Sequence, residues 1–385
     1  MTMPTIQSQI FTAVNNNKVE TLEKLLDTYI AEGGEIYTDW INRAAKRNFV
    51  RIADLLRQKG CAWDTNFTAI SALHGSLDCL MYGYEHGCPW DETCTIMAAK
   101  HGSVECLAFA HERGCPWNEE CCSMAAKEGS LDCLIYAHEN GCPWDSQTCT
   151  EAAGENEFEC LRYAHENGCP WDATTTAAAA TGFNTDILSY CHLNGCPWDE
   201  TTVISAIDDN NQTTLEYALQ NACPVSMESA YRASDVQFDL FTEVVNVLSR
   251  ETNSLQRGLS FAEEQDRLEQ SLAEASPSCD LSWYLASQGN VECLAYILSR
   301  GWPLHPGAGV AAATNDQFEM WMYLWENCEN PQKFVDQDYH GTLIKFIHRI
   351  NPKYDVWSKL LQVDCSVNQE LEQFIRQYKR DQWDY

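Results

Sequence analysis

Four His–Cys pairs share one spacing: His111/Cys115, His138/Cys142, His165/Cys169 and His192/Cys196 are all H-x3-C. Imidazole and thiolate are ligands that zinc favours, and each segment adds a further Cys such as Cys106. A zinc site needs four ligands at about 2.0–2.3 Å in a tetrahedron. Cys106 precedes His111 by five residues, which puts it on a different helical face, and the chain has no C-x2-C pair. The same residue types could form a nucleophile and its base. A catalyst needs that arrangement once, and no Cys/His or Ser/His constellation breaks the repeated pattern. His305, His340 and His348 lie in an irregular C-terminal stretch with no evident acid–base partner. No Gly-rich phosphate loop is present. The expectation is therefore no catalytic residue, no metal and no cofactor, with Cys serving as a small, readily buried residue.

The reason for the repetition is a period. The decapeptide YAHENGCPWD runs from Tyr136 to Asp145 and again from Tyr163 to Asp172. Gly-Cys pairs at 60–61, 87–88, 114–115, 141–142, 168–169 and 195–196 are all 27 residues apart, and Ala222-Cys223 continues the step. An aromatic column (Tyr82, Phe109, Tyr136, Tyr163, Tyr190, Tyr217) and a Leu column two residues earlier keep the same register. So do the small pairs Ala98-Ala99, Ala125-Ala126, Ala152-Ala153 and Ala179-Ala180. The Trp column could stack on bases or sugars, but acidic residues follow it at Asp91, Asp145, Asp172 and Asp199, so packing at corners is the expectation.

Each unit reads as two short helices. In residues 91–117, Asp91 is placed to cap the first helix and Ser103 the second. Gly102 and Gly114 stop them, and Glu105 suits the second helix's dipole. Cys106, Leu107, Phe109 and Ala110 form the apolar stripe of the second helix, and Cys115-Pro116-Trp117 the corner. A helix pair this short cannot enclose a core alone, so units must stack.

The segment Ala98 to Gly114, AAKHGSVECLAFAHERG, resembles the ankyrin repeat. Ala98 and Ala99 match its first-helix alanines, Gly102 its turn glycine, Glu105 its second-helix acid and Gly114 its closing glycine. The period of 27 is shorter than that family's, and the T-P-L-H tetrapeptide is replaced by Thr93-Cys94-Thr95-Ile96. In this form the chain looks like the short GCPWD-type arrays of large DNA viruses of protists and of some protists and algae. The resemblance covers about residues 10–328. It implies an all-α solenoid of roughly ten stacked helix pairs, with hairpins reduced or absent, that recognises proteins without catalysis.

The organisation expected is ankyrin-like repeats over 1–250, a degenerate repeat or acidic linker at 251–278, with the repeat preferred, further repeats over 279–328, and a C-terminal helical cap over 329–385. The chain carries 25 basic and 56 acidic residues, a net charge of -31, which argues against nucleic acid and anionic membrane surfaces and leaves a protein partner with a basic segment compatible. The first residues lack a signal-peptide pattern, no apolar run is long enough to span a membrane, and the 20 Cys read as thiols of a reducing compartment. An intracellular, cytoplasmic monomer is expected. Recognition should use positions where copies differ: Arg47, Lys100, His101, Lys127, Glu128, Glu155, Asp208 and Asp209. The alternatives are a substrate adaptor for a ubiquitin ligase, whose ligase-binding box neither end shows, and a Cys/His metal-binding array.

Overall fold

A computed structural model of the chain describes residues 5–182, 185–258 and 277–327. Most of the acidic segment 251–278 and all of the expected cap over 329–385 lie outside those residues. The described residues hold 22 helices and no strand. The chain divides into two compact units, one ending at Thr202 and the other beginning at Val203.

In the first unit the helices come in pairs. They are α1 (Ile6–Asn15) and α2 (Val19–Ala31), α3 (Thr38–Lys46) and α4 (Val50–Gln58), α5 (Thr65–Leu73) and α6 (Leu77–Glu85), and α7 (Glu92–His101) and α8 (Val104–Glu112). There follow α9 (Glu119–Lys127) and α10 (Leu131–Glu139), α11 (Ser146–Gly154) and α12 (Phe158–Glu166), and α13 (Ala173–Thr181) and α14 (Thr185–Leu193). The caps follow the sequence. The carboxylates of Asp64, Asp91, Asp145 and Asp172 accept from the N–H two residues on at 2.9–3.1 Å. The Ser103 hydroxyl accepts from the Cys106 N–H. At the far end Gly114 adopts a left-handed φ of 82°, and the Cys115 N–H reaches back to the Ala110 carbonyl at 2.9 Å. That pairing closes the helix in a Schellman motif.

The stack is asymmetric for a residue-size reason. Each first helix meets its neighbours through Ala columns with no exposed surface, such as Ala98, Ala125 and Ala152. Small side chains let helix axes approach, and α5, α7, α9, α11 and α13 pack against one another along their lengths. The second helices carry Leu107, Leu134 and Leu161, fully buried, and aromatic residues beside them; they touch one another far less.

Here the structure corrects the sequence reading. The aromatic column is not part of the buried stripe: Phe109, Tyr136, Tyr163 and Tyr190 are half-buried, while Cys106, Leu107 and Ala110 are enclosed. With about 100° between successive residues, Cys106, Leu107 and Ala110 share one arc, and Phe109 and His111 fall on its two opposite flanks. Those flanks join neighbouring repeats.

The second unit contains α15 (Glu200–Asp208, which begins just before it), α16 (Gln212–Gln220), α17 (Met227–Val236), α18 (Phe238–Gly258), α19 (Pro277–Gln288), α20 (Val291–Ser299), α21 (Ala308–Thr314) and α22 (Phe318–Asn327). α17 packs on α19, and α18 on α20. Asn290 Nδ2 donates to the Ser234 carbonyl at 2.8 Å, the Tyr296 hydroxyl to Asn246 Oδ1 at 2.9 Å, and Trp302 Nε1 to Ser249 Oγ at 3.0 Å. The stack thus steps from α17/α18 directly to α19/α20.

Candidate protein-binding face

The H-x3-C pairs are divided between two jobs. His111, His138, His165 and His192 stack on Trp117, Trp144, Trp171 and Trp198, with ring centroids 3.7–4.1 Å apart and planes within 15° of parallel. The partner Cys turns inward. Cys88, Cys115, Cys142, Cys169 and Cys196 donate their S–H to the carbonyl of residue 64, 91, 118, 145 and 172, the preceding corner, at 3.2–3.4 Å. Among the described residues no three His, Cys, Asp or Glu side chains converge as a metal site would require. Burial pushes the thiols of Cys79, Cys133 and Cys160 up to about 12, and Cys61 to about 11. Cys149 is raised further by its hydrogen bond to Cys169 and by burial. Such thiols are protonated at neutral pH.

The flanking imidazoles also tie the repeats together. His138 Nδ1 lies 3.0 Å from the Tyr163 hydroxyl and His165 Nδ1 lies 2.8 Å from that of Tyr190. This belt occupies the corner end of the helix pairs. The opposite end, where each first helix turns into its second, carries the sequence-predicted contact residues.

Arg47 is exposed after α3 and donates to the Asn15 carbonyl at 3.3 Å. Lys100 and His101 are exposed on the last turn of α7, and Glu128 follows α9. Lys100 lies 3.8 Å from Glu128. Half-buried Lys127 lies 2.9 Å from Glu151 and 3.7 Å from exposed Glu155. In the second unit Asp208 pairs with Arg232 at 3.3 Å, which also holds Glu228 at 3.0 Å, and Asp209 is exposed. The sequence reading therefore named residues of one structural position, and the structure joins several of them in ion pairs between adjacent repeats. It missed Glu151 and Arg232, which share one column three periods of 27 apart. It also missed Lys46 and His74.

The electrostatics follow the pairing. The hydrogen bond and charge of Glu151 raise the Lys127 ammonium. Burial works to raise Glu151, but the hydrogen bonds from Lys127 and Gln147 prevail and hold it below the usual carboxylate value. The His74 imidazole is held below its ordinary value by burial first, then by the positive charges of Lys46 and His101.

No family model matches the chain, and no curated protein does. Among solved structures, the crystal structure of the human ASB11 ankyrin repeat domain is similar at 18% identity, over 40% of this chain and 83% of that one, with a TM-score of 0.36. The architecture on its own terms is all-α, a series of stacked helix pairs consistent with ankyrin-like repeats. No described helix is long and apolar enough to cross a membrane.

Proposed function

We propose that the chain is a non-catalytic protein-interaction scaffold of short-period ankyrin-like repeats, with its contact face on the first-helix turns. One observation carries this reading. The columns that pack are nearly invariant from repeat to repeat, while the exposed turn columns change from Lys46-Arg47 through Lys100-His101 to Glu128 and Glu155. Variation in such an exposed column costs the stack little and changes what it can bind. The acidic turns at Glu155 and, separately, at Asp208-Asp209 suit a basic segment of a partner. A monomer in a reducing, cytoplasmic setting fits thiols used as hydrogen-bond donors to corner carbonyls.

The test is capture from a cell lysate by the full chain with Arg47, Lys100, Glu155 and Asp209 all changed to Ala. A second variant changes Arg113, Asn140 and Asn167, exposed at the opposite end of the helix pairs, to Ala. Proteins retained by wild type and by the second variant, but lost from the first, support the reading. Retention indifferent to the turns refutes it.

A further inference from the structure

In a chain of net charge -31, the turns after α3 and α7 are locally basic, and the turn after α5 carries no acid. Lys46-Arg47, Leu73-His74 and Lys100-His101 occupy the same two columns at steps of 27. α5 contains no acid, and the acids of α3 and α7, Asp39 and Glu92, lie in the first turns at the other end. Asp39 is paired with Arg43 at 3.2 Å. Asp78, the nearest acid of α6, accepts from Asn48 Nδ2 at 2.8 Å. Lys46 makes no ion pair among the described residues, and Lys100 has only the 3.8 Å approach of Glu128. His74 lies close to Lys46 and His101, and its imidazole is held below its ordinary value by burial first and by their charges second. Between the cations lie half-buried Ile70, Leu73 and Met97. Cations at helix C-termini suit the dipole, but Glu128 and Glu155 stand in the same column one and two repeats later, so the dipole does not dictate the sign.

We propose that this ridge over the turns of α3, α5 and α7 docks an acidic segment of a partner protein. Its carboxylates face Lys46, Arg47, Lys100 and His101, and its apolar side chains lie on Ile70, Leu73 and Met97. The proposal rests on the scaffold reading and adds the partner's chemistry. Charges more than about 8 Å away are screened at physiological salt, so the local sign governs a closely docked segment despite the chain's net charge. Nucleic acid gains affinity through many neutralised phosphates, whereas this ridge offers few cations around an apolar centre, which suits a peptide.

Fluorescence anisotropy with the full chain tests it. The probes are a short labelled peptide of alternating Glu and Leu pairs, a Lys/Leu counterpart and a labelled single-stranded oligonucleotide. The Glu/Leu peptide should bind the wild type, weaken about tenfold in Lys46→Glu/Lys100→Glu, and weaken further as salt rises. The Lys/Leu peptide should not be weakened by that variant. Circular dichroism checks folding, and Lys46→Gln/Lys100→Gln, with a smaller loss expected, serves if the reversal unfolds. Absence of Glu/Leu binding at physiological salt, equal binding by wild type and both variants, or tighter binding of the oligonucleotide overturns the proposal. If turn-dependent capture from lysate persists in any of those cases, only the acidic-segment proposal falls; if capture ignores the turns, the scaffold reading falls.

Discussion

Deleting one buried thiol should flatten the protein's stability against alkaline pH, and Cys133→Ala is the sharpest case. Cys133 is fully buried, and burial, followed by the nearby Asp132 carboxylate, pushes its thiol up to about 12. In the unfolded chain a thiol titrates near about 8.5. The folded value is the higher one, so the stabilisation is complete below about 8.5 and is lost as pH rises toward about 12. Between those limits the unfolded state has released a proton that the folded state retains. Each such thiol therefore contributes a slope of about 1.4 kcal/mol of lost stability per pH unit. Cys79 and Cys160 are held similarly high, so a few thiols together can consume a stability of about 5–15 kcal/mol by pH 10 to 11.

The assay is urea unfolding of the full chain, followed by far-ultraviolet circular dichroism, at intervals between pH 8 and 10. Tyr82, raised to about 12 by burial and by its hydrogen bond to Asp54, enters only above the unfolded tyrosine value of about 10. Cys133→Ala also leaves a small cavity, but that cost does not depend on pH. The slope is thus a clean readout: the variant should lose stability more gently by about one proton's worth. An unchanged slope, or rapid labelling of Cys133 by a thiol reagent in the folded protein at pH 8, would refute the argument that this thiol is enclosed and neutral.

Three further outcomes are expected. Leu161→Ala, at a site with no exposure, should cost about 2–5 kcal/mol, while Tyr163→Ala, half-buried, should cost visibly less; equal losses in denaturant unfolding would contradict the flank assignment. A double-mutant cycle of His138→Ala and Tyr163→Phe should give a coupling of about 0.5–1.5 kcal/mol for the 3.0 Å contact between repeats, and zero coupling would remove that belt. Ala222 holds a left-handed φ of 60° where other copies have Gly, so Ala222→Gly should stabilise the fold by about 0.5–1 kcal/mol, the relief of strain less the entropy glycine adds to the unfolded chain, and so raise the unfolding midpoint.

Much of the fold was legible because it repeats. Asp91, Ser103, Gly102 and Gly114 act as the local rules require, since capping depends only on neighbours in sequence. Less legible was the second column of left-handed residues. Gly75, Gly102 and Gly129 alternate there with Asn48, Asn156 and Asn210, and Asn looks like an ordinary loop residue until the register is followed. The aromatic column was misplaced for a different reason. Tyr163 is apolar enough for a core, and only the direction of stacking decides that it meets His138 of the preceding repeat. The contact face was legible as a set of exposed variable positions. Its pairing was not, because Lys127 and Glu151 touch across a repeat boundary that no single unit contains.

The two ends of the helix pair have different freedom to vary, and this asymmetry links the short period to the proposed function. At the corner end a Cys must be small enough to be buried and must donate to the carbonyl of the preceding corner. Each of these carbonyls also accepts a backbone N–H from the helix that follows it, so changing that Cys removes its second donor and leaves a cavity. The corner Trp is likewise held by the imidazole stacked on it, and the imidazole in turn by the tyrosine of the next repeat. Corner substitutions therefore propagate along the array. At the turn end, by contrast, a left-handed Gly or Asn is the main backbone requirement, and the side chains just before it are exposed. Their ion pairs, partly open to solvent, are each worth only about 0–1 kcal/mol. Sequence can change there in sign and size at small cost to stability, so the turns are where such an array can acquire a partner without losing its fold.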